Sequence, residues 1–301
     1  MAEDSDFPLA GTLSIPAEQD IPVPAVVLVH GSGPSDRNQA VFGYQIFKDL
    51  AHGLAEQGIA TLRYDKRTYS YPSEFDLEQF TIMDESIEDT LSAISLLEND
   101  DRINSDAIYL IGHSQGAMIA PRIYSLQPNL AGLILLAGSP RSLWKIIYDQ
   151  NMAVLADLDS ESIHYQTNKT FVEAEFERAK QLTSQSFAEV YGQTIFGIPA
   201  FYLKELDSFD TKEALLQIDI PLLIMQGEQD FQVTVNKDYQ AYQDLLNNNL
   251  FATFMLYSNL NHFFVDYQGD KQGTVEEYMV EAEMDAQVID DIANWLLKQE
   301  N

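Results

Sequence analysis

The chain contains no cysteine, which excludes disulfides, thiolate metal sites and a cysteine nucleophile, and leaves the redox compartment open. Basic residues are scarce: 17 Lys and Arg stand against 47 Asp and Glu, a formal net charge of −30 over 301 residues. Such a field repels phosphate backbones and anionic headgroups, so neither nucleic acid nor a membrane surface is expected as a partner. The acidic residues are spread along the chain rather than gathered in a tail, as on a solubilising surface. Long apolar runs are also missing, since stretches such as Leu130 to Gly138 fall far short of the ~20 residues needed to cross a bilayer. The acidic start, Met1 to Asp6, lacks the basic n-region and apolar core of an export signal. As it stands the sequence reads as soluble and cytoplasmic, with an export segment upstream of this chain left open.

A hydrophobic fraction of 46% is enough for a large core, so disorder is excluded over most of the length. Aliphatic and β-branched runs at Leu9 to Ile15, Ala25 to Val29, Ile59 to Tyr64, Ala107 to Ile111, Leu133 to Leu136, Pro221 to Met225 and Ala252 to Leu256 read as strands. Most are continuously apolar, as strands buried on both faces should be. Helical spacing separates them: Phe47, Leu50, Ala51, Leu54 and Ala55; Ile87, Leu91 and Ile94 behind a capping box at Thr81 to Asp84; and Met284, Val288, Ile289, Ile292 and Trp295 near the end. The expected class is α/β, a mostly parallel sheet of about seven strands with helices on both faces. The alternation breaks over residues 139–218, far too long for an ordinary connection, so the chain divides into a core of 1–138 and 219–301 and an inserted helical cap of 139–218. Trp144, Tyr148, Tyr165, Tyr191, Phe196, Phe201 and Tyr202 lie in that insertion; most should pack it, and some should line a pocket.

Gly112-His-Ser-Gln-Gly116 follows the predicted strand at 107–111 and opens a helical stretch. A G-x-S-x-G sequence in this setting holds its serine on a sharp strand-to-helix turn with the hydroxyl projecting, which makes Ser114 the candidate nucleophile. A serine needs a base to take its proton and a carboxylate to orient that base. Of five histidines, His113 adjoins Ser114 and should point away from it, His30 precedes a glycine turn, His52 lies in a helix and His164 in the insertion. His262, in the loop after the last strand, remains. Asp230, in Gln226-Gly-Glu-Gln-Asp230 after the strand at 221–225, is the candidate acid, with Glu228 as its neighbouring alternative. Two backbone N–H groups should form an oxyanion hole: that of Gln115, after the nucleophile, and that of Ser32, in the turn Gly31-Ser-Gly-Pro34. Asp36, Arg37 and Asp65 read as structural ion pairs near the mouth of the site.

His30-Gly-Ser-Gly-Pro-Ser-Asp-Arg-Asn38, Leu62-Arg-Tyr-Asp-Lys-Arg-Thr68, the Gly112–Gly116 pentapeptide, Gln226–Asp230 and Leu260-Asn-His262 occur in this order. Together they resemble bacterial α/β-hydrolase-fold serine esterases over nearly the whole chain, from about Leu9 to the C-terminal helix. The resemblance implies a carboxylic-ester hydrolase with Ser114, Asp230 and His262 as its triad, acting on a small ester without metal or organic cofactor. Two features depart from the pattern. Relatives often carry further strands or a leading domain before the first matched segment, which leaves the native length open. Lys66-Arg-Thr-Tyr69 also stands where many relatives have an Arg-Gly turn.

The aromatic insertion suggests short or aromatic acyl groups. Rival activities are an acyl-CoA thioesterase, for which Arg63, Lys66 and Arg67 would have to form a basic patch, and a peptidase or perhydrolase using the same triad. A ligand-binding receptor on the same fold is the rival outside enzymes. Homo-oligomerisation is left open by the sequence.

Overall fold

The computed structural model describes residues 7–17, 20–156 and 158–299, and the acidic start at Met1 to Asp6 lies outside them. Seven strands form one sheet: β1 (Gly11–Ser14), β2 (Val23–Val29), β3 (Ala60–Tyr64), β4 (Ile103–His113), β5 (Gly132–Leu136), β6 (Leu222–Gly227) and β7 (Ala252–Tyr257). Their spatial order is β1-β3-β2-β4-β5-β6-β7. β1 is antiparallel to β3, and every other pairing in the sheet is parallel. All seven predicted strands are thus present, with shifted ends; β4 begins at Ile103 rather than Ala107, and the intervening Asn104, Ser105 and Asp106 are polar and partly or wholly exposed, so they carry no apolar signal. Pro24, which cannot donate to the ladder, sits where the β2–β4 register shifts.

The parallel strands β2 to β6 are buried along nearly their whole length, which explains their unbroken apolar sequence. Helix α1 (Ile46–Glu56) lays Phe47, Leu50 and Leu54 on one face of the sheet, and the C-terminal helix Ala286–Gln299 adds Val288, Ile292, Trp295 and Leu296 to the same core. Helix α2 (Arg67–Ser70) is a single turn after β3. Helix α3 (Glu88–Glu98) is preceded by a π-helical turn, Met83–Ile87, whose start carries the expected capping box: Thr81 and Asp84 exchange backbone-to-side-chain hydrogen bonds of 2.9 and 3.3 Å.

The chain divides into two compact units, Met1–Ser73, Glu85–Pro140 and Thr211–Asn301 in the first, Glu74–Asp84 and Arg141–Asp210 in the second. The second unit holds helices Leu143–Ala156, Ile163–Ala179, Phe187–Val190 and Ala200–Asp207, and a two-residue-per-strand hairpin, Thr194–Ile195 with Ile198–Pro199. Its aromatics pack one another, Tyr148 on Phe176 at 4.1 Å, Phe187 on Phe201 at 4.8 Å and Phe80 stacked on Tyr202 at 6.4 Å. Among the described residues no helix is long and apolar enough to cross a membrane.

Candidate active site

Neighbouring parallel strands bring their carboxyl ends to one edge of the sheet, where ligands of such folds bind. β2 and β4 are neighbours, and each ends there in a turn. After β4 the chain reverses into helix α4 (Gln115–Leu126), which runs on through Pro121. Ser114, at the reversal, has φ 55° and ψ −116°, a strained conformation of the kind that costs about 1–3 kcal/mol and persists only where the surroundings enforce it. They do so by close packing. A Cβ on Gly112 would meet Gly116 backbone at 2.4 Å, and one on Gly116 would meet the Val29 carbonyl oxygen at 2.2 Å, so the flanking glycines let α4 start against β2 and β4.

β6 and β7 are likewise neighbours, and the loops that follow them hold Asp230 and His262 together. His262 Nδ1 lies 2.7 Å from Asp230 Oδ2, with both side chains buried. The same Oδ2 accepts from Gln226 Nε2 at 2.9 Å, while Oδ1 accepts the backbone N–H groups of Gln232 (2.8 Å) and Val233 (2.9 Å). Four donors therefore fix the carboxylate, and donation from Nδ1 leaves Nε2 as the ring's proton acceptor. Asn261 organises the histidine loop by accepting from the backbone of Phe263 and Val265. Glu228 is exposed, and its backbone N–H bonds Tyr257.

A cavity of about 140 Å³ brings these parts together: Ser114, His262 and His113 line it with Gly31 and Ser32 of the turn after β2, and with Val41 and Phe263. Gln115 opens α4, so its backbone N–H lies at the positive end of the helix macrodipole. Among the described residues no cluster of side chains fits a metal ion.

Two sequence expectations, on His113 and Asp36, need correction, and one open condition, the basic patch, is not met. His113 does not turn away from the site: it lines the cavity beside Ser114, its Nε2–H donates to the His262 carbonyl at 2.9 Å, and its Nδ1 accepts from Gln39 Nε2 at 2.5 Å. Burial, then the proximity of His262, pushes its pKa well below the usual histidine value, so the ring is neutral. Arg63, Lys66 and Arg67 do not form a basic patch. Lys66 pairs with Glu85 at 2.6 Å, Arg67 with Asp89 at 2.6 Å and Glu88 at 3.2 Å, and Arg63 donates to Asn38, all three being buried. Arg37 and Asp65 do pair, at 2.8 Å, whereas Asp36 instead caps its own turn through the N–H groups of Asn38 and Ala40. No local sequence signal marks Gln39, although its φ of 50° sets it apart in the structure.

Residues 26–269 match the alpha/beta hydrolase family. The chain is 33% identical over 290 residues to Esterase EstD of Thermotoga maritima; the match covers 96% of this chain and 66% of that protein, so the chain spans just under two thirds of its relative. Among solved structures it is similar to Est1E from Butyrivibrio proteoclasticus, with a TM-score of 0.61 at 16% identity over 99% of this chain and 97% of the other. The esterase Pf2001 of Pyrococcus furiosus gives a TM-score of 0.54 at 13% identity, covering 97% and 93% of the two chains.

Proposed function

The chain belongs to the alpha/beta hydrolase family, and on that premise we propose that it is a serine carboxylesterase that works through an acyl-enzyme on small esters. One observation carries the reading: His262, held 2.7 Å from buried Asp230, lines one cavity with a serine held at φ 55°. Esterase activity in a 33% identical relative supports it.

In this mechanism Ser114 Oγ attacks the ester carbonyl while His262 Nε2 takes its proton, and Asp230 stabilises the resulting imidazolium through Nδ1–H. The N–H groups of Ser32 and Gln115 receive the oxyanion, charge that exists only in the tetrahedral state. Collapse expels the alcohol with the proton from His262, and a water activated by the same ring then releases the acid and regenerates Ser114.

A cavity of about 140 Å³ is close to the ~150 Å³ known to admit one benzene molecule. The acyl groups we propose are accordingly short or compactly aromatic. A thioesterase acting on acyl-CoA is disfavoured because Lys66 and Arg67 are spent on internal ion pairs. The partner is then a small neutral ester, with neither nucleic acid nor membrane involved. A screen of p-nitrophenyl esters of rising acyl length, with Ser114→Ala as blank, tests the reading. Saturable hydrolysis of the short esters, absent from the blank, is expected; equal rates with and without the serine hydroxyl would refute it.

A further inference from the structure

Gly31 sits against the nucleophile: a Cβ built on it would lie 3.3 Å from Ser114 Cβ. Its peptide groups are held on both sides. Its carbonyl oxygen accepts from Lys66 Nζ at 3.0 Å, and its N–H donates to Gln39 Oε1 at 3.4 Å. Lys66 is only 1% exposed, and Glu85 at 2.6 Å fixes its ammonium from the other side. The far end of the Gln39 amide donates to His113 Nδ1, and His113 Nε2–H donates in turn to the carbonyl of His262. A hydrogen-bonded chain thus runs from the turn after β2 to the backbone of the base.

We propose that Lys66, Gln39 and His113 are positioning residues that lock the oxyanion turn and the His262 loop into one rigid frame, an inference that rests on the hydrolase reading above. The planarity of the trans peptide supplies the reason. The Gly31 carbonyl and the Ser32 N–H belong to one peptide plane and point in opposite directions. With the oxygen drawn to Lys66, the Ser32 N–H is turned away from the lysine, and Ser32 lines the same cavity as Ser114. A donor fixed before the charge develops needs no reorganisation at the moment of reaction, which is where electrostatic catalysis gains most. His113 can perform its part only as the neutral Nε2–H tautomer, accepting at Nδ1 and donating at Nε2, and its burial keeps it so. Gln39 is suited to the link because one amide offers both the acceptor that Gly31 needs and the donor that His113 needs.

The test compares wild type, Gln39→Leu and Lys66→Met on p-nitrophenyl butyrate, with rates expressed per active site titrated by a fluorophosphonate. Binding of a trifluoromethyl ketone, whose serine adduct carries an oxyanion, is measured alongside. Loss of a whole oxyanion donor costs about 10²–10³-fold, so misorientation of one should cost about 10–100-fold. We expect kcat to fall by that factor with KM changed less than about threefold, and the ketone to weaken in parallel with kcat/KM. Loss of folded protein alone would lower the titrated sites and leave kcat per site and ketone affinity unchanged, which would overturn the inference; so would a rise in KM at constant kcat. Should Lys66→Met fail to fold, leaving Glu85 buried without its cation, Gln39→Leu decides the matter by the same readouts. Active wild type with variants that match it refutes this inference alone. Wild type that neither hydrolyses the ester nor binds the ketone refutes the hydrolase reading and this inference with it.

Discussion

Lys66 Nζ lies 2.6 Å from Glu85 Oε1 and is almost wholly buried, so a cation that could have met an anionic substrate is spent inside the fold. Arg67 is spent in the same way on Asp89. With Lys66 and Arg67 paired inward, a protein of net charge −30 repels a polyanionic thioester, and steering effects of this kind change association by about 10–10³-fold. At low salt, kcat/KM for acetyl-CoA is expected to be at least about 100-fold below that for p-nitrophenyl acetate. Comparable values would show that a cationic surface exists elsewhere.

Ser114→Ala and His262→Ala should each lower kcat by about 10³-fold or more with the fold retained, because members of a triad act as a unit. Asp230→Asn should cost somewhat less. Glu228→Gln should be close to wild type, since Glu228 is exposed. Steady-state kinetics with circular dichroism as the folding control checks all four. A crippled Glu228→Gln beside an active Asp230→Asn would move the acid to residue 228.

Acyl preference should follow the cavity. Phe263 and Val41 line the cavity of about 140 Å³ from which we propose a two- to four-carbon acyl group. Acetyl and butyryl esters should therefore be hydrolysed faster than palmitoyl, measured as kcat/KM below the solubility limit of each. Faster palmitoyl hydrolysis would contradict the assignment.

Much of this arrangement is legible in the sequence because it is local. Continuous apolar runs mark β2 to β6, and Gly112 to Gly116 carries both the turn and the close packing that the turn requires. The pairing of Asp230 with His262 is legible because each lies in the loop that follows a strand of the sheet. What escaped is held by contacts between distant residues. His113 and His262 are 149 positions apart, and the direction of the His113 ring is set by Gln39 and the His262 carbonyl rather than by its neighbours in sequence. The grouping of Glu74–Asp84 with Arg141–Asp210 is invisible for the same reason. The sequence left a basic patch at Lys66 and Arg67 open because their acidic partners, Glu85, Glu88 and Asp89, follow only after an intervening turn and loop.

Stability should fall with acid through buried His30. Burial is the main cause that lowers His30 to about 3, with Lys66 adding to it. An unfolded chain binds that proton below about pH 6.5, whereas the folded protein does not until about pH 3. The stabilisation is thus complete above about 6.5 and declines as pH drops through the window between the two values. Half-buried Asp49 and buried Asp89, both raised chiefly by desolvation, act in the opposite sense but are common to wild type and a His30 variant. Urea unfolding of wild type should lose about 1.4 kcal/mol per pH unit more than His30→Gln between pH 6 and 4. Parallel slopes would show that His30 takes up its proton in the folded state.

The central claim, that Ser114 is a nucleophile activated by His262, is tested most directly by intact-protein and peptide mass spectrometry after treatment with a fluorophosphonate. The account predicts a single adduct on the peptide containing Ser114, formed much more slowly in His262→Ala and absent from Ser114→Ala. No adduct on wild type, or an adduct on a different serine, would contradict it.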